Sequence, residues 1–385
     1  MASGLFYKLM MKKTVLFLLA LLQFACVQAQ GLPTDGPLTV RPLLQQLGER
    51  LLTGKTGSIV AIKPATGDII CLVTNSPEGF NVNLAIAKPY APGSTFKTAQ
   101  ALVMLTEGCI TPDMTIACVD GFTDGNIHVG CHKHRSPLAL VDALAISCNT
   151  WFLTTFASML NDKFMYETPA DAITAWNNHM RSMGLGGPLG VDIPGEKGGL
   201  LANVNYLNRR YPNGWDGKTV MWAGMGQGDI TLTPLQLCNL AAVIANRGFY
   251  YPPHIHQSTD SRPLPQRYLT QRNSSIASDA FQYVVEGMHQ AVVKGTATSV
   301  NTANYPICGK TGTVENSGKD HSAFIGFAPM NNPQIAIAVY IEHGGWGADM
   351  AAPIASLIIE EYLKGKLSAQ SEARAKRIAQ SKVGK

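Results

Sequence analysis

No dense cluster of lysine and arginine stands outside the last segment of this sequence. That absence excludes the electrostatic footprint of a nucleic-acid-binding protein, even though the formal net charge is +5. No internal repeat is present, which excludes solenoid and propeller architectures. The apolar run near the N-terminus, Val15 to Ala25, falls short of the about 20 residues a membrane-spanning helix needs. Eight cysteines are present, but an even set is missing once the chain is cut after Ala29, when seven remain. An odd count in an exported protein leaves at least one free thiol or a metal ligand. What is present is ordinary globular composition, 46% hydrophobic over 385 residues. That length suits one large two-lobed domain or two small ones.

The N-terminal residues 1–29 read as a signal peptide. Lys12-Lys13 form its basic region, Val15 to Ala25 its apolar core, and Val27-Gln28-Ala29 a small-residue cleavage site before Gln30. Export to the periplasm or the outer face of the cytoplasmic membrane follows. Two other readings stay open. One is a lipid anchor at Cys26, for which Gln23-Phe24 are poor neighbours. The other is an uncleaved anchor that keeps the protein membrane-associated through its N-terminus. Residues 30–56 then form a short lead segment, 57–365 the main domain, and 366–385 a basic tail expected to fray in solvent.

Chemistry is concentrated in three motifs in a fixed order. Ser94-Thr95-Phe96-Lys97 comes first, Ser147-Cys148-Asn149 about fifty residues later, and Lys310-Thr311-Gly312-Thr313 near the end. Each alone is common, since a lone S-x-x-K is usually an N-cap with a solvated lysine. The ordered set is the pattern of acyl-serine enzymes that bind β-lactams. Residues three apart on a helix share a face, so Lys97 is placed beside Ser94 to accept its proton. Pro92-Gly93 put Ser94 at a helix N-terminus, where free N–H groups favour developing negative charge. The run Phe96 to Leu105 is apolar almost all round, so the helix is buried and Lys97 is depressed towards a general base. Ser147 and Asn149 offer a hydroxyl and an amide to relay a proton and hold a substrate amide. Lys310 offers fixed positive charge for a carboxylate. Thr311 and Thr313 add hydroxyls on one strand face, and Gly309 and Gly312 allow close approach of a ligand.

Strand signals lie at both ends of the chain and helices fill the middle. Ser58 to Lys63 and Asp68 to Thr74 form a hairpin around Pro64-Ala65-Thr66-Gly67. Ile307 to Thr313, Ser322 to Phe327 and Gln334 to Glu342 are three more strands. The fold class is therefore α/β: a five-stranded antiparallel sheet built from both chain ends, a C-terminal helix (Ala351 to Leu363) packed on it, and a mainly helical lobe. Within that lobe Asp142 to Ser158, Thr233 to Asn246 and Ser278 to Val293 read as helices. Cys148 and Cys308 read as small buried fillers.

These residues resemble a known family. Pro92-Gly93-Ser94-Thr95-Phe96-Lys97, Gly226-Gln227-Gly228 leading to Thr233-Pro234-Leu235-Gln236-Leu237, Lys310-Thr311-Gly312-Thr313, Phe327-Ala328-Pro329 and Ala351-Ala352-Pro353 look like the transpeptidase domain of a class B, elongation-type penicillin-binding protein. The resemblance runs from about Gly57 to Lys364 and implies the fold shared with serine β-lactamases. It implies that Ser94 attacks the penultimate D-Ala carbonyl of a peptidoglycan stem peptide with Lys97 as its base. By the same resemblance Ser147 relays the proton, Asn149 binds the acyl-side amide, and Lys310, Thr311 and Thr313 hold the terminal carboxylate. The N–H groups of Ser94 and Thr313 form the oxyanion hole, with Gly312 between the two threonines. Stem peptides and β-lactams are the implied ligands, with no nucleic acid and no cofactor needed for catalysis. The family's pedestal module has no counterpart between Ala29 and the first strand, and Ser322-Ala323 stand where a Trp is frequent. A serine β-lactamase uses the same acylation parts, but no deacylating glutamate is identifiable. A non-catalytic β-lactam receptor or scaffold subunit is a third reading.

Cys118, Cys131, His132 and His134 fall between the first two motifs. At short spacing they offer four ligands for a structural zinc ion. A Cys118–Cys131 disulfide with two surface histidines is the alternative in an oxidising compartment, and the spacing alone leaves both open.

Overall fold

A computed structural model describes residues 31–80 and 83–383. Residues 1–29, read from the sequence as a signal peptide, lie outside the described residues. The sheet is built from strands β1 (Gly57–Ile62), β2 (Ile69–Ser76), β3 (Gly79–Phe80), β4 (Cys308–Val314), β5 (His321–Ala328) and β6 (Ile335–Ile341). Its order is β4-β5-β6-β1-β2-β3, antiparallel throughout. Five strands were expected; the sixth is the two-residue β3, which pairs Phe80 with Asn75 and is too short to show a period. β1 pairs with β6, so the two ends of the chain meet in mid-sheet.

The central strands β1 and β6 read as largely apolar runs because both faces are covered. Successive residues of β1 go to opposite layers: Val60 and Ile62 join the core under the helical lobe, Ile59 and Ala61 the core on the other face. That other face is closed by α1 (Pro42–Leu52) and by a C-terminal helix over Ala351–Lys364. The helical lobe contains α2 (Lys97–Thr106), α3 (Leu140–Ala145), α4 (Asn149–Leu160), α5 (Pro234–Ala245) and α6 (Ala280–Val293). Helix α5 begins with a capping box between Thr233 and Gln236 and a first-turn proline, and all of its residues are buried.

Two expectations change, and the lead segment proves structured. The single helix read over Asp142 to Ser158 is two, α3 and α4, broken where Ser147 takes a left-handed φ of 62°. The lead segment is not featureless. It holds α1, whose Leu44, Leu47, Leu51 and Leu52 form one buried face, and Thr39 N–H donates to Ile255 O at 2.7 Å. The basic tail is not frayed over most of its length. Ser368 caps a last helix over Ala369–Gln380, numbered α8 after α7 (Ala351–Lys364). Ala375 and Ile378 are buried against the sheet's outer core, and Lys55 Nζ donates to Ile378 O at 2.6 Å and Ser381 O at 2.9 Å. Residues three apart place those two side chains on one face, which the polar composition of the segment masks.

Candidate active site

A cleft of about 550 Å³ opens between the β4 edge of the sheet and the helical lobe. Ser94, Ser147, Asn149, Thr311 and Thr313 all line it. Residues from three distant parts of the sequence therefore face one space.

Ser94 sits in one 3-10 turn, Gly93–Phe96, that leads into α2. Gly93 makes the turn possible in two ways. Its φ is +55°, and a Cβ there would lie 2.8 Å from Val314 Cγ2 and 3.0 Å from Thr313 O. The serine turn is thus pressed against β4 at the level of Thr313. Gly93 N–H donates to Gly226 O at 2.8 Å, which ties the Gly226-Gln227-Gly228 segment beneath it. Thr95 Oγ1 donates back to Pro92 O at 2.7 Å and tightens the turn.

Lys97 opens α2 and is fully buried. Its Nζ donates to Asn149 Oδ1 at 2.6 Å, Ser147 O at 2.9 Å and Ser147 Oγ at 3.2 Å. Burial pushes its pKa down to about 8, while the thiols of Cys148 and Cys131 pull weakly upward. The first two motifs are therefore joined through this one ammonium group. Asn149 is held as well, with Nδ2 donating to Gly130 O at 2.8 Å. Ser147 reaches the lysine because of its left-handed backbone, a conformation costly for a serine and held here by the structure around it.

Lys310 lies fully buried behind the cleft lining, and its Nζ donates to Thr311 O at 3.0 Å. Burial first, and then the charge of Lys97, hold its pKa well below the usual lysine range. The sequence places this cation at the cleft; in the structure the side chains that reach the cleft from β4 are Thr311 and Thr313. Gly312 between them cannot be larger, since a Cβ would lie 2.9 Å from Thr95 Cγ2. Gly309 is constrained from the opposite face, where a Cβ would lie 2.3 Å from Phe324 Cζ.

The cleft is also lined by residues outside the three motifs, among them Thr296, Met225, Gln227, Glu315, Asp320 and Trp346. Gln227 sits in a Gly-Gln-Gly segment legible in the sequence. Trp346, flanked by Gly345 and Gly347, is an exposed aromatic in a glycine-rich turn. Thr296 leaves no local signal.

The cysteines also differ from expectation. All seven described cysteines are free thiols. Donor atoms of Cys118, Cys131, His134 and Cys148 lie within 4.8 Å of one another. Cys148 thus replaces His132 in the four-ligand set. His132 instead packs against Trp346, with ring centroids 5.2 Å apart and the planes tilted by 40°. Cys148 is also the N-cap of α4, where its sulfur accepts from Trp151 N at 3.4 Å. Cys131 Sγ accepts from Asn149 N at 3.0 Å and Thr150 N at 3.4 Å, and the Cys148 thiol first, then these amides, pull its pKa well below the usual thiol range. His134 Nδ1 contacts Arg135 O at 2.6 Å, while its Nε2 is buried and has no hydrogen-bond partner. A buried ring nitrogen with no partner, facing three thiols, fits a soft metal ion.

Among the described residues no helix is long and apolar enough to cross a membrane. Comparison with known proteins gives a consistent picture. The chain is 31% identical over 366 residues to the peptidoglycan D,D-transpeptidase MrdA of Acinetobacter baumannii, covering 81% of this chain and 52% of that protein. It is 25% identical over 382 residues to the MrdA of Haemophilus influenzae, covering 86% of this chain and 56% of the other. The chain thus spans about half the length of these curated relatives. Among solved structures, PBP2 of Pseudomonas aeruginosa in complex with WCK 5153 superposes with a TM-score of 0.73 at 29% identity, covering 87% of this chain and 80% of that one. The penicillin-binding protein transpeptidase domain matches residues 57–360, and the chain belongs to that family, in its class B branch.

Proposed function

We propose that this protein is an exported peptidoglycan D,D-transpeptidase that cross-links stem peptides through an acyl-serine intermediate. The observation that carries the reading is the buried Lys97, bonded to Ser147 and Asn149 in the cleft that Ser94 lines. Neutral Lys97 takes the Ser94 proton as Oγ attacks the penultimate D-Ala carbonyl. The N–H groups of Ser94 and Thr313, on the two elements that Gly93 presses together, receive the oxyanion. Each such donor is typically worth about 3 kcal/mol. Lys97 passes its proton to Ser147, and Ser147 delivers it to the departing D-Ala amine. Asn149 accepts from or donates to the amide on the acyl side. A neighbouring stem-peptide amine then attacks the Ser94 ester, its proton returning by the same relay. Thr311 and Thr313 bind the terminal carboxylate directly, and buried Lys310 supplies positive potential through the wall behind them. β-Lactams carry an equivalent carboxylate and acylate the same serine.

A zinc ion held by Cys118, Cys131, His134 and Cys148 would act structurally, locking the insert onto the N-terminus of α4 beside Asn149. It has no part in acyl transfer, because all four positions are filled by protein ligands.

The test is release of D-Ala from a peptide ending in D-Ala-D-Ala, run beside hydrolysis of a chromogenic cephalosporin. Release of D-Ala, with a penicilloyl adduct lasting many minutes, is expected. No D-Ala release together with rapid cephalosporin turnover contradicts the proposal and indicates a β-lactamase.

A further inference from the structure

Thr296 stands outside the sequence motifs, yet its Oγ1 lies 2.6 Å from Thr311 Oγ1 and both residues line the cleft. Two hydroxyls that close share one proton between them: one donates and the other accepts. A free threonine hydroxyl rotates; this pair does not have that freedom. Thr296 is itself fixed. Its N–H donates to Ala145 O at 3.1 Å, and Gly295 passes so near that a Cβ there would lie 2.1 Å from the same oxygen. Ser299 Oγ donates to Ala348 O at 3.0 Å, and Ala348 also lines the cleft. The segment 294–300 thus braces the helix end before Ser147 on one side and the far cleft wall on the other.

With Lys310 buried, the hydroxyls that β4 and the segment before it bring to the cleft are those of Thr296, Thr311 and Thr313, and Glu315 and Asp320 also line it. Thr313 Oγ1 accepts from Gly347 N at 3.4 Å, which leaves its own proton for a ligand. The same logic applies to Thr311 if Thr296 is its donor. We propose that Thr296 is a positioning residue for the substrate's terminal carboxylate: it donates to Thr311 Oγ1, so that the Thr311 proton points to the carboxylate beside that of Thr313. The inference rests on the acyl-serine reading above.

The test is the second-order rate of acylation by benzylpenicillin for wild type, Thr296→Val, Thr296→Ser, Thr311→Val and the double Val variant. Thr296→Val should slow acylation about tenfold, the scale of one hydrogen bond that supports a charged group. Thr296→Ser, which keeps the hydroxyl, should stay within about threefold of wild type. The double variant should be no slower than Thr311→Val, because Thr296 acts through Thr311. Thr296→Ala takes the place of Thr296→Val if the latter does not fold. Wild-type rates in Thr296→Val, equal losses in the Val and Ser variants, or a full multiplicative loss in the double variant each overturn the inference. Wild type that does not label at all overturns the acyl-serine reading and this inference with it.

Discussion

A buried ammonium group can lower its cost by losing its proton or by finding acceptors, and Lys97 does both. Burial brings its pKa down to about 8, and three acceptors from Ser147 and Asn149 hold it in place. On the mechanism proposed above the neutral form accepts the Ser94 proton, so activity should follow its fraction. Below a pKa of about 8 that fraction rises nearly tenfold per pH unit, and above it the fraction levels off. The rate of acylation by benzylpenicillin should therefore climb from pH 6 and flatten near pH 8; a climb continuing to the usual lysine range above pH 10 contradicts this. The motif residues were legible because their chemistry is written at short, fixed spacings. Thr296 was not, because it meets Thr311 across fifteen residues of sequence that carry no pattern. The burial of Lys310 was hidden for a related reason: a strand places alternate residues on opposite faces, but the sequence does not say which face is the cleft.

At the scale of elements, the five longer strands, α5, α6 and α7 were legible from periodicity and turn chemistry. The break between α3 and α4 was not, because it depends on one serine held in a left-handed conformation by its neighbours. Helix α8 was missed because its apolar contribution is confined to Ala375 and Ile378. That contribution makes a definite expectation. Ile378 is 9% exposed and packs in the outer core, so Ile378→Ala should cost about 2 kcal/mol, at the low end for a truncated core isoleucine. Thermal unfolding should shift down by a few degrees. Penicillin labelling below that temperature should be unchanged, because α8 lies on the sheet face away from the cleft. An unchanged melting temperature contradicts docking of this helix; lost labelling at low temperature contradicts its independence from the site.

At the scale of the whole molecule, the sheet brings β1 from one chain end beside β6 from the other, and the cleft is the seam between that sheet and the helical lobe. The thiol cluster sits on this seam. Its cysteines and histidines were visible in the sequence, but membership was not, because Cys148 also served as the middle of a motif. Protein purified without chelator should carry close to one zinc per chain. Cys118→Ser and Cys148→Ser should lose it and melt at lower temperature, since metal binding adds to folding free energy. His132→Ala should keep the metal, because that ring lies against Trp346. Full zinc content in Cys148→Ser, or its loss in His132→Ala, contradicts the ligand set.

The central claim is that Ser94 forms the covalent bond. Wild-type protein is incubated with benzylpenicillin, digested, and the adduct located by mass spectrometry. One penicilloyl group on the peptide containing Ser94, absent in a folded Ser94→Ala variant that melts close to the wild-type temperature because the Ser94 hydroxyl caps neither the turn nor the helix, is the predicted result. An adduct on any other residue, or equal labelling of Ser94→Ala, contradicts it.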